Sequence, residues 1–121
     1  MNDSILTTIK QMLGITEEYT HFDVHVITHI NTAFAILNQL GVGPDNGFFI
    51  RDKEVTWGEL IPSDNNLELV KTYTHAKTQI LFDPPLAAAA IDALSKSIAE
   101  LEWRISCAVD FSNDKKEETN E

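Results

Sequence analysis

Asp83-Pro84-Pro85-Leu86-Ala87-Ala88-Ala89-Ala90-Ile91, with the residues that follow to Val109, decides the fold class. Ala87, Ile91, Leu94, Ile98, Leu101, Ile105 and Ala108 recur in alternating steps of four and three, the spacing of a helix that packs along one seam. Asp83-Pro84-Pro85 marks its start, because proline disfavours helix in the residue before it and Asp83 can cap a helix with Pro84 in its first position. Working back, residues 67–82 place Leu69, Tyr73, Ala76 and Ile80 on one stripe, widened by Val70 and Leu81. Residues 22–40 repeat the pattern with Ile27, Ile30, Phe34, Leu37 and Leu40, and Gly41-Val42-Gly43-Pro44 stops it. A short first helix carries Ile5, Leu6, Ile9 and Leu13, with Asp3 or Ser4 as its cap and Gly14 at its end. The expected fold is all-α: one four-helix bundle-like domain over residues 1–109. Leu94, Ile98, Leu101 and Ile105 are expected to be buried against the helix of Ile30, Phe34 and Leu37.

Residues 45–57 interrupt the helical pattern. Asp45-Asn46-Gly47 is turn chemistry, Phe48-Phe49-Ile50 is β-prone, and Val55-Thr56-Trp57 can return the chain as a small hairpin or extended insertion. Thr56 and Glu59 fit a capping box, predicting one helical turn through Ile61, and the loop 62–66 ends in an N-cap. Loops within a domain are seldom so apolar unless they cover the core or meet a partner. Phe48, Phe49 and Trp57, together with Arg104, are therefore the candidate interface residues; a lid over the helices is the competing reading for the aromatic three. Residues 110–121 are polar and aperiodic, an expected acidic and disordered tail that could order on a neighbour.

The chain has 121 residues, one domain's worth. Nineteen acids against nine bases give a net charge of −10. Phosphate-gripping proteins cluster Lys and Arg; the two arginines, Arg51 and Arg104, form no such cluster, so specific nucleic-acid binding and a basic membrane-surface helix are not expected. The longest apolar run, Leu86 to Ile91, is far short of the roughly 20 residues that span a bilayer. Met1-Asn2-Asp3-Ser4 does not begin a signal peptide, and the single Cys107 points to a reducing compartment.

Catalytic signatures are sparse. His21, His25 and His29 stand four apart, a spacing that can chelate a metal. At 100° per residue, however, His25 and His29 lie roughly opposite the core stripe, and Val26 stands where a zinc protease needs glutamate. The row is expected at the surface, and no metal or cofactor is expected. No Gly-x-Ser-x-Gly elbow, Walker loop or Gly-x-Gly-x-x-Gly occurs. Cys107 reads as a small buried hydrophobe, Asp92 and Lys96 as a helix-surface pair, and Glu100 and Glu102 as surface acids. Arg104 is read as serving a buried or intersubunit ion pair. Asn31, at the stripe's margin, reads as a side chain bonded to a neighbouring carbonyl, and Trp57 and Trp103 as core or interface anchors.

Several segments together carry a family likeness. They are Ile9-Lys10-Gln11-Met12-Leu13-Gly14-Ile15, the acidic linker with Glu17, Glu18 and Asp23, Leu67-Glu68-Leu69-Val70-Lys71, Leu81-Phe82-Asp83-Pro84-Pro85 and Glu100-Leu101-Glu102-Trp103-Arg104. Over about residues 4–109 the chain resembles the head–tail connector (neck adaptor) proteins of tailed bacteriophages. The resemblance implies a non-enzymatic structural subunit of the virion neck, assembled in the host bacterial cytoplasm. Its implied partners are further copies of itself in a ring, the portal protein, and neck or tail proteins. DNA would pass through the ring without specific binding, which an acidic chain suits. Two other classes stand beside it: a small helical adaptor or regulatory protein that binds a cellular partner, and a His-dependent metal-binding protein.

Overall fold

Ser4 starts the first helix: its side-chain oxygen accepts from the Thr7 N–H at 3.2 Å, satisfying one of the free donors of α1 (Ile5–Met12). The computed structural model describes residues 3–62 and 66–119, with side chains through residue 111. Four more helices follow: α2 (Asp23–Gln39), α3 (Trp57–Leu60), α4 (Leu67–Phe82) and α5 (Ala88–Thr119). There is no strand among the described residues, only an isolated bridge between Ser4 and Thr56. The fold is an all-α, bundle-like domain.

Helices α1, α2 and α4 fall within a residue or two of their expected bounds, because caps and Gly/Pro stops act locally. The Thr56 N–H donates to Glu59 Oε2 at 2.7 Å, as the capping pattern predicts. Asn66 stands at the N-cap of α4 with φ 67° and makes no side-chain capping bond; residues 63–65 of the expected loop lie outside the described residues.

Helix α5 departs from expectation at both ends. Its first carbonyl to accept helical hydrogen bonds is Ala87, so Asp83 does not cap it. The reason is Pro85, which disfavours helix at Pro84 just as Pro84 does at Asp83. At the other end the backbone stays helical to Thr119, where the sequence pattern predicts a disordered tail from 110. No Gly or Pro follows Pro85, and Lys and Glu are good helix formers, so an established helix propagates. Residues 120–121 of that tail lie outside the described residues.

The middle of the bundle is α4. It packs on α2 and on α5, and α1 rests on both α2 and α4. Its Val70, Tyr73, Thr74, Ala76 and Thr78 are all buried, so it offers apolar contact on more than one side. Thr74 is tolerated there because its hydroxyl donates to the Val70 carbonyl at 2.7 Å. This corrects the expected pairing of the seam: α5 lies on α4, and only Ile98 and Ile105 are buried, while Leu94 and Leu101 are half-exposed. One fixed point between seam and α4 is polar, the Tyr73 hydroxyl donating to Glu102 Oε2 at 2.8 Å. Burial, and then the Glu102 carboxylate, hold that phenol far above its usual pKa.

Residues 45–56 form an extended loop and not a hairpin. Two devices hold it. The Asn31 amide donates to the Ile50 carbonyl at 3.0 Å and accepts from the Ile50 N–H at 2.8 Å, a two-point clamp that imitates a strand pair. Ile5 N–H donates to Val55 O at 3.0 Å and Trp57 N–H to Asp3 O at 3.1 Å, tying the loop's end to the start of α1.

Gly41, after the end of α2, has φ +97°, and a Cβ there would sit 2.7 Å from Val109 Cγ1. A side chain is refused twice, by the left-handed backbone and by the close approach of α5. Gly41→Ala is expected to destabilise by more than about 1 kcal/mol in urea titration, whereas Gly14→Ala, which meets only the backbone penalty, costs less.

Candidate assembly surfaces

Lys10 decides how one end of the molecule is built. It lies on the apolar stripe of α1 and is almost fully buried. Its ammonium donates to the carbonyls of Tyr19 at 2.8 Å and Glu17 at 3.1 Å, and stands 2.9 Å from Asp23 Oδ1. That carboxylate oxygen accepts no well-aligned hydrogen bond, so the last contact acts as a charge pair. One cation thus pins the whole α1–α2 linker. Sequence reasoning missed it; the signal was a lysine between Leu6 and Leu13 on an otherwise apolar stripe.

The pinned linker opens a shallow recess lined by Leu13, Ile15, Tyr19, Phe22 and Phe82. Phe22 meets Phe82 edge-on, with centroids 5.5 Å apart. The histidine row runs beside it: His21 and His25 are exposed and His29 is half-buried, its ring 6.3 Å from Phe82. The row is at the surface, as its position on the helix predicts. Among the described residues no three His, Cys, Asp or Glu side chains are grouped to hold a metal ion.

His75 is half-buried on α4, and its buried Nε2 has no partner. Burial lowers its pKa below 6.5, outweighing an opposing contact with the Met12 backbone; His29 is lowered by burial and by nearby His25. Both groups therefore favour the neutral form in the fold. Below pH 6.5 the unfolded chain takes up protons that the folded one refuses, so stability falls as pH drops. Urea midpoints should decline from pH 7.5 toward pH 5, and His75→Leu should flatten most of that decline.

The four candidate interface residues separate in space. Trp57 is fully buried, its Nε1–H donating to Thr8 Oγ1 at 3.2 Å, its ring edge-on to Phe34 and Lys71 Nζ 5.7 Å from its centroid. It has no surface to offer a partner: the residue is core, the competing reading. Phe48 is half-buried against Phe34 at 5.9 Å. Phe49 is 60 % exposed, and Arg104 is exposed with its guanidinium 2.8 Å from Glu100 one turn earlier.

The larger apolar surface is on α5 and its lead-in. All of residues 86–93 are exposed, so the longest apolar run in the chain, Leu86 to Ile91, lies outside the core. Trp103 is 66 % and Phe111 69 % exposed, with exposed Cys107 between them at four-residue spacing, correcting the expectation of a buried thiol. Such an area on a small domain makes it the larger candidate contact surface. Periodicity alone hid it, because an exposed alanine-rich turn and a buried one are written alike. No described helix is long and apolar enough to cross a membrane.

No curated protein and no solved structure matches the chain. A family model described as phage connector protein does, over residues 5–112, from the first residue of α1 to just beyond the last described side chain of α5. With that match across nearly the whole helical body, the chain belongs to the phage connector protein family.

Proposed function

We propose that the protein is a non-enzymatic structural subunit that forms an oligomeric ring in the virion neck, between the portal and the next tail component. The observation that carries this reading is the family match across nearly the whole helical body. The exposed apolar face of α5 supports it, since a protein whose work is to join others must keep contact surface outside its own core. Net charge of −10 suits a ring through which DNA slides without being held. Assembly takes place in the host bacterial cytoplasm, and neither cofactor nor metal takes part.

Co-assembly tests it. The purified chain is mixed with the portal from the same genome and imaged. An axial ring of this protein on the portal is the expected result. If no ring appears, and deleting the gene still leaves heads joined to tails, the reading is wrong.

A further inference from the structure

Among the described residues, two helix faces have no partner inside the subunit, and they differ in character. The outward face of α2 is lined by Val24, Thr28, Thr32, Ala35 and Gln39, all exposed. The only formal charge on this 17-residue helix is Asp23, already paired with Lys10. The Thr28 hydroxyl donates to Val24 O at 2.8 Å and the Thr32 hydroxyl to Thr28 O at 3.1 Å. Both hydroxyls thus turn back onto their own helix, and the methyl groups carry the outward surface. A solvated helix face is normally charged. This one carries small side chains and no formal charge in a chain of net charge −10.

The outward face of α5 is the bulky counterpart, with Trp103 and Phe111 standing out on either side of Cys107. Of its described charges, Arg104 pairs with Glu100 and Lys96 with Asp92, while Asp110 beside Phe111 is exposed. In a chain of net charge −10, an uncharged face is one where two copies can meet without like-charge repulsion.

We infer that the two faces are the halves of one head-to-tail contact, in which the Trp103–Phe111 face of α5 on one copy seats on the Val24–Ala35 face of α2 on the next. This rests on the ring reading and names its surface. Helices α2 and α5 each pack on α4, so each turns a different side of the subunit outward. A contact between unlike faces is heterologous and repeats from copy to copy, closing into a ring where the rotation allows. Large aromatic side chains against a small-residue face give the shape match, and the absence of formal charge on the α2 face leaves nothing there to repel the acids of α5. The size of the contact sets its strength: a 17-residue helix is about 25 Å long, and one helix-on-helix contact buries less than the roughly 800 Å² per partner of a standard interface. Single pairs are therefore weak, and assembly occurs at high concentration or on a template, where each copy gains two contacts.

Native Cys107 supplies the ruler, because a disulfide needs Cα atoms within about 7 Å. Thr28→Cys, Thr32→Cys and Ala35→Cys are made singly, concentrated with and without the portal, oxidised mildly and run on non-reducing gels. At least one should give a ladder of dimer, trimer and higher forms that Cys107→Ser abolishes. A parent that yields only Cys107–Cys107 dimers, with no ladder from any variant, indicates a two-fold α5–α5 contact and overturns the inference. Independently of cysteine, Thr32→Glu and Trp103→Ala should each raise the concentration needed for assembly by about tenfold or more while melting with the parent. Unchanged assembly in both overturns it as well. Rings imaged on the portal without any ladder would sink this contact and leave the ring reading standing, whereas no oligomer under any condition overturns both.

Discussion

Trp57→Ala is expected to cost about 3–5 kcal/mol, the largest single-residue loss in the protein, and to lower the melting temperature by roughly 10–20 °C. Trp57 is the largest fully buried side chain, and it touches three helices at once. Its indole N–H bonds Thr8 on α1, its ring edge faces Phe34 on α2, and Lys71 on α4 lies over its face. Truncation leaves a cavity where these helices meet, and the extended loop that ends at Thr56 loses its anchor. Trp57→Phe keeps a ring but forfeits the hydrogen bond, so it should fall between parent and alanine variant. Trp103→Ala is the control, since a side chain 66 % exposed costs within about 0.5 kcal/mol. Equal melting of the Trp57→Ala variant and the parent would show that Trp57 does not join the helices as described.

Lys10→Ala should come second, at about 3 kcal/mol. The loss is less one of attraction than of satisfaction: two carbonyls and the Asp23 carboxylate are left without their cation. Because the Asp23 side chain is 25 % exposed and can recover some water, the cost falls at the lower end of the range for broken buried pairs. A specific consequence separates this from ordinary core damage. The α1–α2 linker should exchange its amide hydrogens and be cut by protease faster than the rest of the chain. The double variant Lys10→Met with Asp23→Asn should recover part of the stability, since the unpaired charge is then gone. A linker protected as in the parent would show that Lys10 does not pin it.

Helix positions were legible in the sequence because the signals that set them are local. Ser4 before Ile5, Gly41 after Leu40 and Thr56 three residues before Glu59 each act within one turn, as does the four-and-three spacing of each apolar stripe. The Asn31 bond to a carbonyl and the surface position of the histidine row were legible too, from their places around α2. The family likeness was carried by helix patterns of the same kind. Which stripe meets which was decided only in the tertiary structure. The seam of α5 states that one face is buried but not on what; the tertiary structure sets it on α4, where the Tyr73 hydroxyl reaches Glu102. The same limit governs the candidate surface. Trp57 and Trp103 read alike along the chain, yet one closes a three-helix junction and the other stands in solvent. Leu86 shows it most plainly: it opens the longest apolar run and is 103 % exposed, because hydropathy records the tendency to be buried and only packing between distant segments determines whether a partner is there.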